Sequence, residues 1–345
     1  MKDCKVLSID LAKNSFQICL LDSDNKVIKN RKITRAKLLD FLRQQPRDII
    51  VAMEACGSAH YWARLCQKMG FSKVLLIPAQ HVKPFVGKQK NDPNDARAIG
   101  EAAQRPKLYP VPIKTIEQQD IKMLLSTRDR WVKERTRLVN HLRGHCAEYG
   151  VILSKGINVF RKGLPEVLEC GENELSVVMR GQLADGYDEL LRLDEKIAVL
   201  EKQIVELGRQ REDYKRLVEI PGIGPINATA VLSEIGDGSQ FSSGRDYAAY
   251  CGLVPRQFSS GDQIRSGGIT KAGNRQLRTL LVHSARTMVR YMVHKDDQLS
   301  RWVQGIIARR GKNKAVVALA NKLARISWAI LRHQRPYHAA LTTGA

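Results

Sequence analysis

Short apolar runs and amphipathic helical segments alternate through the first third of the chain. Three runs within residues 5–33, KVLSIDLA, SFQICLLD and KVIKNRKI, are separated by short turns and predict three strands. RAKLLDFLRQ has the apolar spacing of a helix, DIIVAME and KVLLIP are typical of buried strands, and a helix between these two strands should begin at Ser58 and end at Gly70. A further helix should begin at Asp92. This order of elements is typical of a ribonuclease-H-like core, in which helices cover a mixed sheet.

The rest of the chain has mainly helical patterns. Residues 116–149 predict one long, heavily charged helix, and residues 150–178 are expected to be rich in loops. Apolar residues then recur at the heptad spacings of 3 and 4, at Leu190, Leu193, Ile197, Leu200, Ile204 and Leu207. This seam fits an antiparallel hairpin with the long helix inside one chain, and it also fits a contact between two chains.

The patterns predict an α/β plus mainly α protein with three domains. Residues 1–112 should form the ribonuclease-H-like domain, and residues 113–215 should form coiled-coil helices that link the domains and join subunits. Residues 216–345 should form a helical C-terminal domain. This domain opens with PGIGP between two apolar segments, a pattern that predicts the turn of a helix-hairpin-helix.

The charge of the chain indicates a polyanionic partner. Lys and Arg number 57 against 35 Asp and Glu, which gives a net charge of +22 and a pI near 9.9. Such a surplus favours nucleic acid, because Lys and Arg release counterions when they bind phosphates. An anionic membrane surface is the rival interpretation. No apolar run approaches the roughly 18 residues of a transmembrane helix, and the N-terminus lacks a secretory signal, so a cytoplasmic location is expected.

Cysteine and histidine give no sign of a zinc site. The seven cysteines are scattered and contain no C-x-x-C pair, which predicts reduced, buried thiols rather than zinc ligands or disulfides. His141 and His145 are four residues apart on a predicted helix, but no third ligand lies nearby in the sequence.

Four acids are the candidate chemistry of this basic chain. Asp10 lies in the first predicted strand and Glu54 ends the fourth, and these strands are neighbours in a ribonuclease-H-like sheet. Asp92 and Asp95 are three residues apart at a helix start, and therefore share one face of that helix. Carboxylates that converge in this way would suit one or two Mg²⁺ ions for phosphoryl transfer. Alternatively, Asp92 before Pro93 is a good N-cap and Asp95 favours the helix dipole, so that these two acids only stabilise a helix.

Six motifs give the chain a resemblance to a known family. SIDLAK, MEACGS, KNDPNDA, IPGIGP, YAAYCGLVPRQFSSG and TKAGNRQLR occur together and in order from about residue 5 to residue 335. They resemble the DEDD transposases of the one-ten insertion-sequence family of bacterial mobile elements. The resemblance implies a RuvC-like domain, a coiled coil and a C-terminal transposase domain. It also implies a DNA recombinase that a structured guide RNA, often called a bridge RNA, directs to donor and target DNA.

The resemblance also implies which residues are catalytic. Asp10, Glu54, Asp92 and Asp95 match the metal-binding tetrad, and Ser260, before Gly261 in QFSSG, matches the serine nucleophile. A serine that attacks a DNA phosphate forms a covalent intermediate, which divides one difficult displacement into two easier ones. Read without the family, the same serine in a Ser/Gly-rich segment is a simple turn residue.

Several basic and glycine residues are expected to contact nucleic acid. Lys88 and Lys90 could hold phosphates of the cut strand beside the tetrad. Glycines of PGIGP let backbone N–H groups approach a phosphate, although the same turn could simply pack two helices. The expected contacts are Lys88, Lys90, Gly222, Gly224, Arg265, Lys271, Arg275 and Arg278. The positive charge of the chain is concentrated in its C-terminal segment, since residues 262–345 contain 16 Lys and Arg against 3 Asp and Glu.

Together with the acidic residues and the basic charge, the resemblance implies a bacterial, nucleoid-associated DNA recombinase that uses Mg²⁺ and a phosphoserine. It should act as a homo-oligomer, a dimer or a tetramer, because the exchange of two duplexes requires four strand cuts. Two other functions stay open. One is a metal-dependent nuclease of the Holliday-junction type that uses the acidic tetrad alone. The other is a non-catalytic nucleic-acid-binding protein whose acids only cap helices.

Overall fold

The chain folds into two compact units, residues Met1–Ile116 and Glu117–Ala345. The structure is a computed structural model that describes residues 4–87, 91–106, 108, 110–260 and 263–338, without the side chains of Cys4, Ser259, Ser260 and Ile264. Each unit has its own buried core and is described by itself.

The first unit is a five-stranded mixed sheet with helices on both faces. Its elements are β1 Cys4–Asp10, β2 Ser15–Asp22, β3 Val27–Thr34, α1 Arg35–Arg43, β4 Ile50–Glu54, α2 Ala59–Lys68, β5 Lys73–Ile77, α3 Ala79–Val82, a 3₁₀ turn Lys83–Phe85 and α4 Asp92–Ala103. The strand order is β3-β2-β1-β4-β5; β1, β4 and β5 are parallel, and β2 is antiparallel to β1 and β3. The predicted order of elements and the adjacency of β1 and β4 are confirmed, with α3 and the 3₁₀ turn as additions.

Alternating residues of the strands cover the two faces of this sheet. Leu7 and Ile9 belong to the core beneath α1 and α2. Val6 and Ala52 belong to the core beneath α4, together with Ile99 of that helix. Because side chains alternate along a strand, the even-numbered residues of β1 and β4 share the α4 face.

The second unit is mainly helical. Its elements are α5 Ile116–Glu148, α6 Ile157–Glu169, α7 Val177–Arg209, α8 Glu212–Val218, α9 Pro225–Ile235, α10 Gly244–Tyr250, β6 Pro255–Ser260, β7 Gln263–Ile269, α11 Arg275–Met292, α12 Gln298–Arg310 and α13 Lys312–His333. The expectation of a loop-rich segment over 150–178 is wrong in part, because α6 lies within it. Phe160 and Leu164, four residues apart, are fully buried and hold α6 against α7.

The heptad seam of α7 is buried within a single chain. Helix α5 runs antiparallel to α7, with Arg128 Nε 2.7 Å from Glu201 Oε1 and Arg135 Nη1 2.6 Å from Asp194 Oδ1. Five seam residues are at most 5% exposed, namely Leu190, Leu193, Ile197, Leu200 and Ile204. The seam therefore packs in an antiparallel helical hairpin within one chain.

Two general expectations can be compared with this fold. No helix in the described part of the chain is long and apolar enough to cross a membrane. The expectation of buried thiols is wrong for Cys56 and Cys170, which are exposed, whereas Cys19, Cys66, Cys146 and Cys251 are buried and free. Both exposed thiols lie where a strand or helix has just ended.

Candidate active site

Asp10 and Glu54 lie at the ends of two adjacent parallel strands. The paired register of β1 and β4 runs to Ile9 opposite Met53, and each acid is the next residue of its strand. Both acids are half-buried. Side chains alternate along a strand, so each acid lies on the same face of the sheet as the residue two positions before it, which is the face that α4 covers. Both acids therefore project from the α4 face at the carboxyl edge of the sheet. The neighbouring position predicted from the sequence is confirmed.

Helix α4 is held close to the sheet and is oriented so that its N-terminus lies at the same edge. Ser8 Oγ, fully buried in β1, donates a hydrogen bond of 2.6 Å to the carbonyl oxygen of Ala96. One turn later Gly100 lies against β1 and β2, because a Cβ there would come within 2.9 Å of Ser8 Oγ. At the far end Gln104 Nε2 donates to the carbonyl oxygen of Asp22, beside the start of β1. The helix therefore runs antiparallel to β1.

The helix cap is Asn91 and not Asp92. The Asn91 side chain accepts a hydrogen bond of 2.9 Å from the backbone N–H of Asn94, while Asp92 is the first helical residue and Pro93 the second. The expectation that Asp92 caps the helix, with proline at the first helical position, is wrong by one residue. Because Asn91 meets the need for a cap, the exposed Asp92 and half-buried Asp95 are not required for one.

A short polar chain connects the N-terminus of α4 to the strands. Gln17 is paired opposite Asp10 across β1 and β2, and its Nε2 donates a hydrogen bond of 2.6 Å to Asn30 Oδ1 on β3. Asn30 Nδ2 in turn donates 2.9 Å to the carbonyl oxygen of Pro93. Sequence reasoning missed both amides. The sequence signal that could have indicated them is the presence of polar residues at inward positions of β2 and β3. A largely buried glutamine such as Gln17 needs a hydrogen-bond partner.

The loop that follows β4 lies in the field of these acids. Burial raises the pKa of the Cys56 thiol, and the carboxylates of Glu54 and Asp10 raise it further. Both acids therefore lie near this thiol, just beyond the sheet edge. Ser58, the residue before α2, has a φ of 67° and makes no side-chain cap, so the expected serine cap is absent. Positive φ at a non-glycine residue stores strain, which is often found beside functional sites.

The donor chemistry of this edge suits a hard divalent cation. Asp10, Glu54, Asp92 and Asp95 offer carboxylate oxygen, the ligand that Mg²⁺ prefers. Within the described ranges, no group of three or more acid, histidine or cysteine side chains stands close enough to bind an ion unaided. Mg²⁺ usually takes one or two protein carboxylates and completes its shell with water and substrate phosphates. Lys88 and Lys90, expected beside the acids, lie outside the described residues.

Ser260 is the last residue of a β-hairpin strand in the second unit. It pairs with Gln263 of the returning strand. Gly261, Asp262 and the side chain of Ser260 lie outside the described residues. Arg265 is exposed on the returning strand, and its Nη2 donates 3.0 Å to Gln263 Oε1. The candidate nucleophile therefore lies at the tip of a two-stranded projection.

Backbone contacts and one arginine fix the base of this hairpin. Gly252 has a φ of 66° and Gly273 a φ of 68°, and a side chain on either would collide with backbone atoms. Arg278, half-buried on α11, donates through Nη1 to the carbonyl oxygens of Cys251 at 2.9 Å and Ala272 at 3.0 Å. Arg278 was expected to bind phosphate, and in the structure its Nη1 also positions the hairpin.

The other expected contacts are solvent-accessible in the second unit. Lys271, with a φ of 55°, and Arg275 are both exposed next to the hairpin base. Gly222 and Gly224 lie in an exposed turn between α8 and α9, where Gly222 has a φ of 86°. The turn predicted between two helices is therefore present, while its role as a helix-hairpin-helix stays a prediction. His141 Nε2 and His145 Nε2 are 3.0 Å apart, and no third metal ligand joins them in the described part of the chain.

Comparison with known sequences defines the class as DNA transposases of insertion sequences. A model described as the transposase IS116/IS110/IS902 family matches residues 214–300, and a transposase model for the DEDD domain of IS110-type elements matches residues 7–150. The second match contains all four acids, and the first contains Ser260 and the turn between α8 and α9. The chain belongs to the IS116/IS110/IS902 transposase family, so the resemblance seen in its motifs is confirmed.

Relatives of this family are similar over nearly the whole chain. The transposase for insertion sequence element IS1111A of Coxiella burnetii is 44% identical over 98% of this chain and 92% of its own length. A probable family 20 transposase of Pseudomonas aeruginosa is 45% identical over 96% of this chain and 98% of its own. A pilin gene-inverting protein of Moraxella bovis is 25% identical over 96% of this chain and 97% of its own length. Membership of the family implies that this chain cuts and rejoins DNA.

Proposed function

We propose that the chain exchanges DNA strands through a phosphoserine at Ser260, assisted by Mg²⁺ at the acidic edge of the first unit. The observation that supports it best is the meeting of Asp10 and Glu54 at adjacent strand ends, with the N-terminus of α4 at the same edge. A relative named for inverting a pilin gene supports rejoining of cut strands rather than cutting alone.

In the proposed reaction the Ser260 hydroxyl oxygen attacks a DNA phosphorus. A new phosphodiester bond to serine forms, the bond to one sugar oxygen breaks, and the proton lost by serine appears on the released sugar hydroxyl. A sugar hydroxyl of the partner strand then attacks the phosphoserine and returns the proton to serine. The energy of the original bond is kept, so no ATP is required.

The acids prepare this reaction by holding the cation. When bound, Mg²⁺ would offset phosphate charge and favour the ionised hydroxyl. Asp10 and Glu54 would hold it from the strand ends, while Asp92 and Asp95 would reach it from the first turn of α4. The polar chain from Gln17 maintains that approach. The proposal also includes two partners, namely further copies of the chain in a homo-oligomer and a structured guide RNA. For these partners it rests on the family resemblance and on the net charge of +22.

A covalent adduct is the decisive measurement for the serine. Full-length protein, co-purified RNA, Mg²⁺ and end-labelled DNA of the element ends should give a protein–DNA adduct that survives denaturation. Ser260→Ala should abolish the adduct and strand exchange, whereas the neighbouring Ser259→Ala should retain both. Strand cutting that continues in Ser260→Ala would instead identify a nuclease that uses the tetrad alone.

The acids can be tested through DNA affinity as well as through activity. Glu54→Gln should abolish adduct formation, yet bind DNA at least as tightly as the wild type in EDTA, because a negative charge facing the phosphates has been removed. Asp24→Asn, an exposed acid in the turn at the opposite edge of the sheet, is the matched control and should leave activity unchanged. Normal activity of Glu54→Gln would refute a metal role for this edge.

A further inference from the structure

A large basic groove lies in the second unit, between the β6–β7 hairpin and helices α12 and α13. Its volume is about 1120 Å³. Hairpin residues from Pro255 to Ile269 form one wall, and α13 forms the other with Trp302 of α12. Five cationic side chains line it, Arg256, Lys271, Lys314, Lys322 and Arg325. No carboxylate is among the described residues that line the groove.

Lys322 is the unusual member of this set. It is only 8% exposed, and its Nζ lies 4.9 Å from the ring centroid of Trp302. Across the described part of the chain, no carboxylate lies within ion-pair distance of that Nζ. Burial lowers the pKa of Lys322, and the charge of Arg325 lowers it further. A buried cation without an anionic partner is costly, and a ligand anion would remove that cost.

Two backbone features make the groove more favourable for anions. Helix α13 begins after Gly311, which has a φ of 83° and supplies no side-chain cap, and Asn313 and Lys314 of its first turn line the groove. An uncapped helix N-terminus presents free N–H groups and a positive dipole end. On the opposite wall, a Cβ added to Gly268 would meet nothing within 4 Å, so its backbone is open to a ligand.

We propose that this groove holds the sugar–phosphate backbone of a single nucleic-acid strand, with a phosphate at Lys322 and Arg325. The inference rests on the proposed function in one respect, that the partners of the chain are nucleic acids. A duplex presents its phosphates on a wide convex surface, whereas a thin, flexible strand can place one phosphate against a side chain that is 8% exposed. Trp302 holds the ammonium group from one side by a cation–π contact.

The location gives this strand a role. Strands β6 and β7 form a wall of the groove and also end at the tip that carries Ser260. A strand held along that wall runs beside the base of the projection that bears the nucleophile. The chemistry is shared by an unpaired DNA strand and by an unpaired segment of guide RNA, and the binding test separates these sources.

The test measures binding without cleavage, in EDTA, with full-length protein. Fluorescence anisotropy is recorded for short labelled oligo-dT, oligo-rU and a duplex of the same length over a range of salt concentrations. Lys322→Met and Arg325→Gln should each weaken single-strand binding about tenfold, the value of one charged hydrogen bond. Each should also reduce the slope of log affinity against log salt by about 0.7. Duplex affinity should change by less than about twofold, since a duplex does not reach the groove.

Two further variants keep the test decisive. Lys314→Gln alters an exposed lining residue and so does not disturb packing; it should weaken single-strand binding in the same direction. Arg286→Gln removes an exposed cation of α11 that does not line the groove, and should leave the salt slope unchanged. Tighter binding of oligo-dT identifies the strand as DNA, and tighter binding of oligo-rU identifies it as RNA.

The inference is overturned if folded Lys322→Met and Lys314→Gln proteins bind single strands with wild-type affinity and slope. It is also overturned if duplex binding falls equally. Failure of the proposed function would be recognised separately. An adduct that persists in Ser260→Ala refutes the serine mechanism, whatever the groove variants show, and normal binding by the groove variants leaves the serine mechanism intact.

Discussion

The close approach of α4 to the sheet should control activity far more than it controls stability. Gly100 has no side chain, and a Cβ in its place would lie 2.9 Å from Ser8 Oγ and still closer to Leu21 Cδ1. Ordinary contact begins near 3.4 Å, so Gly100→Ala must separate helix and strand by at least about 0.5 Å, or displace both side chains. Either change affects the Ser8 hydroxyl that holds Ala96.

The free-energy terms of this substitution nearly cancel for stability. Overpacking costs about 1–3 kcal/mol, and alanine in a helix returns about 1 kcal/mol relative to glycine. The net loss of unfolding free energy should therefore be about 0–2 kcal/mol. Activity has no such compensation, because displacement of a catalytic group by about 1 Å can cost a hundredfold in rate.

Strand exchange by Gly100→Ala should therefore fall by about a hundredfold in a protein that remains folded. Hydrogen exchange of amides in α4 and β1 would report the local loosening. Gly144→Ala is the matched control, since this exposed glycine lies inside α5 with nothing within 4 Å of an added Cβ. It should gain about 1 kcal/mol of stability and keep full activity.

A second substitution can restore the space. Leu21→Val shortens the side chain that lies nearest the added Cβ, so the double variant with Gly100→Ala should recover part of the activity that the single variant loses. If Gly100→Ala behaves like the α5 control, with higher stability and undiminished strand exchange, then α4 is not held at the distance seen here and its acids do not depend on this contact.

Three further outcomes follow from the structure. Asn91→Ala should lower the free energy of unfolding by about 1 kcal/mol in denaturant titrations, because the helix loses its cap. Asp92→Asn should leave the free energy of unfolding unchanged and lower activity. The reverse pattern would make Asp92 the cap. Leu200→Ala should cost about 2–5 kcal/mol and leave the concentration dependence of the melting temperature as it is in the wild type, whereas a seam between two chains would change that dependence. Hydrogen bonds from Ser300 hold the pKa of Asp297 below its ordinary value. This N-cap of α12 should therefore add stability above about pH 4 that is lost as pH falls through the lowered pKa, and Asp297→Ala should remove that pH dependence from thermal melts.

The elements of the first unit could be predicted because local pattern and tertiary packing agree there. The apolar runs of SFQICLLD and DIIVAME both match strands that the sheet buries on its two faces. The proximity of Asp10 and Glu54 then follows from strand adjacency alone. The cap of α4 could not be placed to the residue, because Asn91 and Asp92 are equally good caps and only the backbone decides between them.

Other features depended on contacts between distant segments, which a local pattern does not report. The Gln17–Asn30–Pro93 chain links three elements through side-chain amides. Arg278 belongs to a basic segment that is typical of phosphate binding, yet the carbonyls of the hairpin base engage its Nη1. Helix α6 was missed because its apolar face is short and is completed only by α5 and α7.

The chain combines an acidic edge with a strongly basic remainder, and the two have opposite effects on DNA. Phosphates approach a protein of net charge +22 readily, but an edge bearing Asp10 and Glu54 repels them unless a cation lies between. The acids would thus make productive contact conditional on the metal, while Lys322 and its neighbours hold nucleic acid without one. Binding and chemistry can then be separated by chelation alone: EDTA should preserve single-strand binding in the groove and abolish the adduct at Ser260.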